Sequence, residues 1–426
     1  MDLLLLVGLL FTLIVLGVPV AFSLGISSCA LFIVNDIPIS VAIQRWAAST
    51  NLFVLMAIPF FVFSGELMAR SGIAARLIQL ADSILGKSRG GLAKVNVGAS
   101  MIFGSVSGSA VASVSAIGGT MMPMMSRRGY GEDYSVAITA AAAILGILIP
   151  PSHNMVIYSA ASPVSVSVGD LFIAGIVPGG LCALSLIVAS HVVAVKRDHP
   201  RGQAQTLKVI LRGLFVAAPG ICTGLIIVLG IVLGVFTPTE SAAVAVVYTM
   251  LIGVLVYRTL SLSEIFEAAI SSVRTTAMVM MIIGCAGMFS WLFALLEGPM
   301  QLAAFVLSIS SDPSVIILLI LLVLLALGAF MDMAPLIIIT TPIFLPLAVE
   351  AGVDPVQFGV MMMLSLGVGL VTPPVGSVLF VGCAVGQARA ELVIREIWPF
   401  YMVLVGVLLA VSFLPSLTLW LPGVIR

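Results

Sequence analysis

The sequence predicts an all-α polytopic membrane protein, an inverted-topology repeat with two re-entrant helical hairpins and two broken helices. Three observations predict this class: long apolar runs, a repeated pattern of proline and glycine, and opposite loop charges in the two halves. Of the 426 residues, 61% are apolar and 8% are charged, whereas a soluble domain has about 25% charged residues. Such a chain has too little polar surface for a soluble fold.

The apolar runs are continuous, as in residues 315–330 and 402–421. About 20 apolar residues span the hydrocarbon layer, where only helices or closed barrels satisfy their backbone groups. A barrel would show short alternating segments instead, so these runs predict helices in a lipid bilayer. The formal net charge is zero, which gives no basic field for nucleic acid, and we expect no nucleic-acid partner.

A repeat is marked by the only two Pro-Pro pairs in the sequence, which begin at Pro150 and Pro373, 223 residues apart. The same offset relates two further pairs, Pro123 with Pro346 and Gly129 with Gly352. Several shared features in the same order are not expected by chance. The pattern therefore predicts that the chain contains two related halves.

The halves are assigned to residues 1–198 and 213–426, joined by a linker at 199–212. The linker region is basic, and cytoplasmic loops carry an excess of Lys and Arg, so it is expected in the cytoplasm. Basic residues flank segment 92–125, whereas acidic residues flank its counterpart, 313–349. Equivalent loops on opposite sides of the membrane are the pattern of an inverted-topology repeat.

Each half is expected to follow one plan. In the first half we predict helices at 2–17, 20–34 and 49–68, an amphipathic segment at 70–86, a hairpin at 92–125, a broken helix at 134–165 and a helix at 171–195. In the second half we predict helices at 213–236, 240–257 and 263–296, a hairpin at 313–349, a broken helix at 356–386 and a helix at 397–421. The amphipathic segment is expected at the cytoplasmic interface.

Segment 92–125 is unusual for a spanning helix, because glycine and serine crowd its middle at 104–109. Glycine in a helix interior costs roughly 1 kcal/mol relative to alanine, and serine offers the backbone competing hydrogen bonds. Both flanks are predicted to be cytoplasmic, so the segment would enter and leave on one face, with its tip at 104–109. Its counterpart is 328–335. Close helix packing through small residues is the alternative.

Each Pro-Pro pair predicts an opened helix, because proline removes a backbone donor and clashes with the preceding turn. The freed carbonyls cannot face lipid and need a cavity, water or a cation. Ser152 and Thr372 adjoin the two breaks. A hairpin tip of serines that faces unwound carbonyls would offer hard oxygen ligands to Na⁺. A simple kink is the alternative interpretation of either break.

The same geometry can bind a small organic anion, because helix N-termini carry partial positive charge. The hairpins and breaks have no Lys or Arg in their interior. A substrate carboxylate is therefore expected to be held by N–H groups, hydroxyls and bound cations, with an affinity that depends on Na⁺. Asp332 lies at membrane depth and is either a site residue or a helix cap. His153 either contacts substrate or is an ordinary buried histidine.

The sequence shows no catalytic constellation and no nucleotide-binding loop of the GxxxxGK[ST] type. We therefore expect no enzyme activity and no organic cofactor, and transport that draws on ion gradients. A passive channel remains an alternative, because irregular hairpins are also compatible with a pore.

Four blocks, at 104–115, 145–152, 237–243 and 369–376, resemble the large membrane subunit of the tripartite ATP-independent periplasmic (TRAP) transporters, including the sialic-acid members. The resemblance implies an elevator-type Na⁺ symporter for an organic acid, of the sialic acid or dicarboxylate class, in a bacterial inner membrane. It also implies two partners, a small four-helix membrane subunit as a separate chain and a periplasmic substrate-binding protein. The alternative is a self-sufficient Na⁺/organic anion symporter of related fold.

Carried over residue by residue, the resemblance places two or more Na⁺ ions at the hairpin tips and breaks, which would move together as a transport domain. The implied Na⁺-binding residues are Ser105, Ser107, Ser109, Gly146 and Pro150, with Gly328, Asp332, Thr372 and Pro374 in the second half. For substrate binding we expect Ser109, Ser152, His153, Asp332, Thr372 and Ser377.

Overall fold

The computed structural model describes residues 2–201, 205–310, 312–373 and 376–425. Within these ranges the protein is helical, and the only β-structure is an isolated bridge between Arg89 and Arg201. Seven single helices in the described ranges are long and apolar enough to span a membrane, and a bent pair brings the number to eight. The prediction of an all-α polytopic protein is confirmed.

The helices are numbered in chain order. Up to residue 201 they are α1 (Asp2–Val15), α2 (Val20–Val34), α3 (Ile39–Thr50), α4 (Ala57–Arg70), α5 (Ile73–Leu85), α6 (Gly91–Ser107), α7 (Ala110–Arg127), α8 (Glu132–Ala143), α9 (Leu145–Leu148), α10 (His153–Ala161) and α11 (Val168–Lys196). From residue 205 onward they are α12 (Leu207–Val232), α13 (Pro238–Leu251), α14 (Leu262–Leu295), α15 (Gly298–Ile309), α16 (Pro313–Gly328), α17 (Met333–Glu350), α18 (Pro355–Gly369), α19 (Ser377–Gly386), α20 (Ala390–Phe413) and α21 (Ser416–Ile425).

The structure differs from the predicted helices in several places, among them the starts of α12 and α20, which lie six and seven residues before the predicted 213 and 397. Helices α3 and α15 were not predicted, because each is shorter than a membrane span. The predicted helix 49–68 begins only at Ala57, after a short 3₁₀ turn at Phe53–Met56. The predicted helix 397–421 is divided into α20 and α21 at Pro415, where proline supplies no backbone donor to continue the helix.

The helices pack into two groups. Helix α4 packs against α13 and α14, and α14 also packs against α2 and α3. In the second group, α8 and α18 lie at the centre, with residues 134–148 and 357–371 buried without exception. Helices α6, α7, α11 and α20 surround this centre. Helix α12 packs against α13 and so belongs to the first group. Helix α5 joins the groups, since it packs against both α12 and α6.

Two helix pairs turn back on themselves. Helix α6 packs against α7 through a turn at Gly108, where φ is +63°, and α16 packs against α17 through the turn at 329–332. Helix α10, which follows the first break, packs against α17, whereas α19, which follows the second break, packs against α7. Each helix that follows a break therefore contacts the helix pair of the other half.

Candidate functional site

In each half, the first helix of the turned pair contacts the helix that leads into the break, and the contact is made by two glycines. A Cβ on Gly146 would lie 2.8 Å from Cα of Gly104, and a Cβ on Gly369 would lie 2.6 Å from Cα of Gly328. Real Cβ atoms essentially never approach below 3.0 Å, so only glycine permits these contacts. Gly146 and Gly328, predicted as Na⁺-binding residues, thus lie in matching backbone contacts.

The turns are hydrogen-bonded to the breaks. Asn154, just beyond the first break, donates from Nδ2 to the carbonyl oxygen of Gly108 at 3.3 Å. At the second break, the backbone N–H of Gly376 donates to the carbonyl oxygen of Ala329 at 2.9 Å. The first break bends the chain by 52° between α9 and α10. Each turn is therefore held against the break of its own half.

A cavity of about 700 Å³ lies where these junctions meet α4 and α14. It is lined by four of the predicted site residues, namely Ser107, Ser109, His153 and Asp332. Leu370, which precedes the second break, also lines it. Both turns and both breaks therefore contribute to one space, although they are far apart in the sequence.

Helix N-termini also face this cavity. Its lining includes Ala110 and Val111 in the first turn of α7, and Met333 and Ala334 in the first turn of α17. The first N–H groups of a helix have no partner within the helix and carry partial positive charge. The cavity can therefore receive an anion at two helix ends.

Four of the predicted hydroxyls already make hydrogen bonds, including Ser107 Oγ, which lies 3.3 Å from Ser113 Oγ. Ser105 Oγ donates to the carbonyl oxygen of Ile102 and Thr372 Oγ1 to that of Val368, both at 2.7 Å. Ser109 Oγ accepts from the N–H of Ala112 at 3.3 Å and caps α7. A hydroxyl that donates its proton keeps both lone pairs, and one that accepts a single hydrogen bond keeps one, so these oxygens can still ligate a cation.

Two other predicted hydroxyls are buried without a hydrogen-bond partner among the described residues, Ser152 Oγ and Ser377 Oγ. Most buried polar atoms in proteins are hydrogen-bonded, so both oxygens are available to a ligand. Neither residue lines the cavity, and the same holds for Ser105, Gly146, Pro150, Gly328 and Thr372. Pro374 lies outside the described residues.

Asp332 occupies the N-cap position of α17, but its side chain makes no cap hydrogen bond. Asp312 caps α16 in the ordinary way, because its Oδ1 accepts from the N–H of Ser314 at 2.8 Å. The geometry therefore favours a site role for Asp332 over the capping alternative, since this residue lines the cavity and its side chain makes no cap hydrogen bond.

The cavity also contains a cationic side chain that the sequence reasoning did not anticipate. Arg70, at the end of α4, lines the cavity together with Glu66. Arg70 Nη1 pairs with Glu267 Oε2 at 2.7 Å, and Arg70 Nε lies 3.8 Å from Glu66 Oε2. The hairpins and breaks contain no Lys or Arg in their interior, so only N–H groups, hydroxyls and bound cations were expected to face an anion. That expectation is incomplete, because Arg70 lies on α4, which belongs to neither hairpin nor break.

Two further lining residues were missed, Glu66 and Asn154. Glu66 lies inside a predicted spanning helix, and an acidic residue at membrane depth is a functional signal in itself. Asn154 lies 223 residues before Ser377, so the repeat offset applied to the predicted Ser377 would have found it.

Residues 7–417 match the family model described as "Tripartite ATP-independent periplasmic transporter, DctM component". The chain belongs to this family. Among curated relatives, the C4-dicarboxylate TRAP transporter large permease protein DctM of Pseudomonas aeruginosa is 40% identical over 403 residues, covering 94% of each chain. The sialic acid TRAP transporter large permease protein SiaM of Vibrio cholerae is 38% identical over 416 residues, covering 97% of this chain and 96% of that protein.

A third relative of this TRAP permease extends beyond the region that aligns with this chain. The isethionate TRAP transporter permease protein DctMQ of Oleidesulfovibrio alaskensis is 37% identical over 413 residues, covering 96% of this chain and 65% of that protein. Membership of a permease family confirms the predictions of a transport protein, not an enzyme, in a multi-pass inner-membrane location. Sialic acid is one of several substrates that the relatives' names give.

Two solved structures share the fold of this TRAP permease. The YdaH transporter of Alcanivorax borkumensis aligns with a TM-score of 0.62 at 14% identity, covering 90% of this chain and 87% of that chain. MtrF of Neisseria gonorrhoeae aligns with a TM-score of 0.59 at 14% identity, covering 88% and 83%. At this identity the likeness concerns the fold alone.

Proposed function

We propose that this TRAP large permease imports a small organic acid, driven by Na⁺, by an elevator movement of its hairpins and broken helices. The observation that supports this most directly is the cavity of about 700 Å³, which receives residues from both turns and both breaks. A binding site at the meeting point of two repeats, formed by discontinuous helices, is the arrangement that secondary transporters use.

For Na⁺, the proposal rests on oxygen atoms near the breaks. Hard cations prefer oxygen ligands, including carboxylates, hydroxyls and backbone carbonyls. Ser152 Oγ and Ser377 Oγ are buried without a partner among the described residues, and Ser107 Oγ lies 3.3 Å from Ser113 Oγ. We assign two or more Na⁺ ions to these junctions, with Asp332, which lines the cavity, as a charged ligand.

For the substrate, the proposal rests on the two helix ends that face the cavity. The first turns of α7 and α17 offer N–H groups, and Ser109 and Asn154 add polar side chains. The relatives are named for dicarboxylate, sialic acid and isethionate, which are all organic anions. We propose a carboxylate substrate of the sialic acid or dicarboxylate class.

The division of the helices into two groups supports the proposed elevator movement, in which one group moves relative to the other. Helices α4 and α14 line the cavity together with the turns, so movement of the turns relative to these two helices would change the side to which the cavity opens. An impermeant thiol reagent should then reach Ser109→Cys from both sides of the membrane during turnover. A matched cysteine in α4, Val62→Cys, should react from one side only.

The test of coupling uses this chain with the small membrane subunit and periplasmic binding protein that we propose as its partners. Proteoliposomes with an inward Na⁺ gradient should take up radiolabelled sialic acid or a C4-dicarboxylate at least about tenfold faster than in choline medium. Equal uptake in both media would contradict Na⁺ coupling. Uptake without the binding protein would support a self-sufficient symporter, and currents far above carrier turnover would support a channel.

A further inference from the structure

A second cavity, of about 730 Å³, opens where α5, α6 and α11 meet, and shares no lining residue with the cavity described above. Five of its lining residues are basic: Lys87, Arg89, Lys94, His191 and Arg201. None of the described residues that line it is acidic. We call this cavity the cationic pocket.

The positive charge of the cationic pocket is only partly neutralised. Arg89 Nη2 pairs with Asp198 Oδ1 at 3.0 Å. In the described part of the chain, no carboxylate lies within 4.0 Å of Lys87 or Lys94. Lys94 is only 8% exposed. Its Nζ donates to Ser88 Oγ at 2.7 Å and lies 3.1 Å from His191 Nδ1, which supplies hydrogen bonds but no counter-charge.

The basic side chains are brought together by backbone contacts between distant segments. The N–H of Gly90 donates to the carbonyl oxygen of Pro200 at 3.3 Å, and Arg89 forms the isolated β-bridge with Arg201. Holding like charges close together is unfavourable in proportion to 1/r. An anion between them would remove this repulsion, and a buried ammonium group such as that of Lys94 is stabilised by a paired charge.

The cationic pocket lies at the end of a membrane span. Helix α11 spans Val168–Lys196, and His191 and Val195 line the pocket from its last turns. An exposed apolar stripe continues from the pocket along α11 at Val195, Val188 and Leu184, which are 48%, 54% and 59% exposed. In a bilayer this stripe would face acyl chains, and the basic groups at the end of the span would lie at the headgroup level.

We propose that the cationic pocket binds the phosphate group of an anionic phospholipid, with Lys87, Lys94 and Arg201 around the phosphate. One acyl chain lies along the apolar stripe of α11. Basic pockets at the cytoplasmic ends of membrane helices bind anionic headgroups in this way. Because none of the described lining residues is acidic, an anionic lipid is favoured over a zwitterionic one, whose ammonium group would be repelled by the basic lining.

The lipid would contact both helix groups, because α5 packs against α12 while α6 and α11 belong to the group around α8. This contact does not involve the cavity proposed for the substrate. Binding of the lipid can therefore be measured without substrate or Na⁺, and its outcome is independent of the proposed transport function.

The test is native mass spectrometry of the delipidated full chain with dioleoylphosphatidylglycerol, dioleoylphosphatidylcholine or inorganic phosphate. Each basic residue near an anionic headgroup contributes roughly fivefold in affinity. The double variant Lys87→Gln/Arg201→Gln should therefore bind phosphatidylglycerol about 25-fold more weakly. The matched control, Lys208→Gln/Arg212→Gln, removes two exposed charges from the start of α12 and should bind as the unchanged protein does.

Lys87 and Arg201 are exposed, so their double variant is expected to fold, and Lys94→Gln then tests the buried member of the pocket. Equal weakening in the double variant and its control would overturn the proposal, because it would show attraction to the surface in general. Equal binding of phosphatidylcholine, or inorganic phosphate that binds as tightly as phosphatidylglycerol, would also overturn it.

Discussion

Gly146 packs so closely against Gly104 that a Cβ on Gly146 would lie 2.8 Å from Cα of Gly104. Gly369 and Gly328 repeat this relationship in the second half, at 2.6 Å. In both halves the contact joins the first helix of a turned pair to the helix that leads into a break. Backbone contact therefore determines how far each turn lies from its break.

We expect Gly146→Ala to destabilise the protein by about 1–3 kcal/mol, the usual cost of an extra carbon in a packed interior. Gly369→Ala should behave in the same way. The measurement is the midpoint of thermal unfolding in detergent. Gly119→Ala is the control, because a Cβ on Gly119 meets nothing within 4 Å, and it should be neutral or stabilising by up to about 1 kcal/mol. Equal behaviour of Gly146→Ala and the control would contradict the close contact.

Replacement of Asp332 and of Asp312 by alanine is expected to have opposite effects on uptake and on stability. Asp332→Ala should abolish most Na⁺-driven uptake with little change in stability, since its side chain makes no cap hydrogen bond. Asp312→Ala should cost about 1 kcal/mol of stability through loss of its cap and leave Na⁺ dependence unchanged. Uptake and thermal unfolding of both variants separate these results. A loss of stability in Asp332→Ala as large as in Asp312→Ala would support the capping role instead.

Ser107→Ala and Thr372→Val should weaken Na⁺ dependence, because each removes a hydroxyl oxygen assigned to Na⁺. We expect the Na⁺ concentration for half-maximal uptake to rise roughly tenfold, which corresponds to about 1.4 kcal/mol. The control for Thr372→Val is Thr340→Val, whose hydroxyl donates within its own helix to the carbonyl oxygen of Leu336 at 2.6 Å. If neither variant changes the Na⁺ dependence, the assignment of these residues is wrong.

Arg70→Gln should raise the KM for the organic acid several-fold, because Arg70 is a cationic side chain in the lining of the cavity. Stability should change by less than about 1 kcal/mol, since a solvent-exposed ion pair contributes little. Arg197→Gln is a matched control, because Arg197 pairs with Glu396 at 2.6 Å and does not line the cavity. Steady-state uptake over a range of substrate concentrations would measure both variants. An unchanged KM in Arg70→Gln would remove Arg70 from the site.

The segment after α11 should loosen at low pH. Burial of His199, whose ring lies 4.7 Å from Tyr130 and 4.8 Å from Tyr134 between centroids, lowers its pKa, and the charge of nearby Arg197 lowers it further. The unfolded segment binds a proton near pH 6.5, so the stabilisation is present above that pH and is lost as the pH falls. Hydrogen exchange of residues 196–201, corrected for intrinsic rates, should increase between pH 7.5 and 5.5.

The control for this effect is His199→Phe, which keeps an aromatic ring between the two tyrosines but cannot bind a proton. Its exchange at residues 196–201 should be the same at both pH values after correction. The same pH dependence in His199→Phe would show that another group is responsible.

Part of the candidate site was accessible from the sequence, because backbone interruptions are local properties. Two successive prolines predict an opened helix wherever they occur in a membrane segment, and the structure has the first break between α9 and α10. Asp332 was identifiable for a similar reason, since a carboxylate in a long apolar region is costly. The identity of the ions and of the organic acid remains a proposal.

Other features could not be predicted in this way. Arg70 was assigned to an interfacial segment, and only the packing of α4 against the turned helices places it at the cavity. The cationic pocket joins Lys87 to Arg201, although more than a hundred residues separate them in the chain. Nothing in their local sequences indicates that they are neighbours.

The sequence by itself determined that the protein is helical, lies in a membrane and contains paired prolines, and it predicted an internal repeat. Hydrophobicity and the effect of proline on the backbone are properties of short segments, so they can be recognised in a single sequence. The tertiary structure decided which residues share one cavity, that Gly104 meets Gly146, and that Asp332 lines the cavity and does not cap its helix. These facts depend on how distant helices pack, because side-chain volume and backbone shape at each contact set the approach of one helix to another.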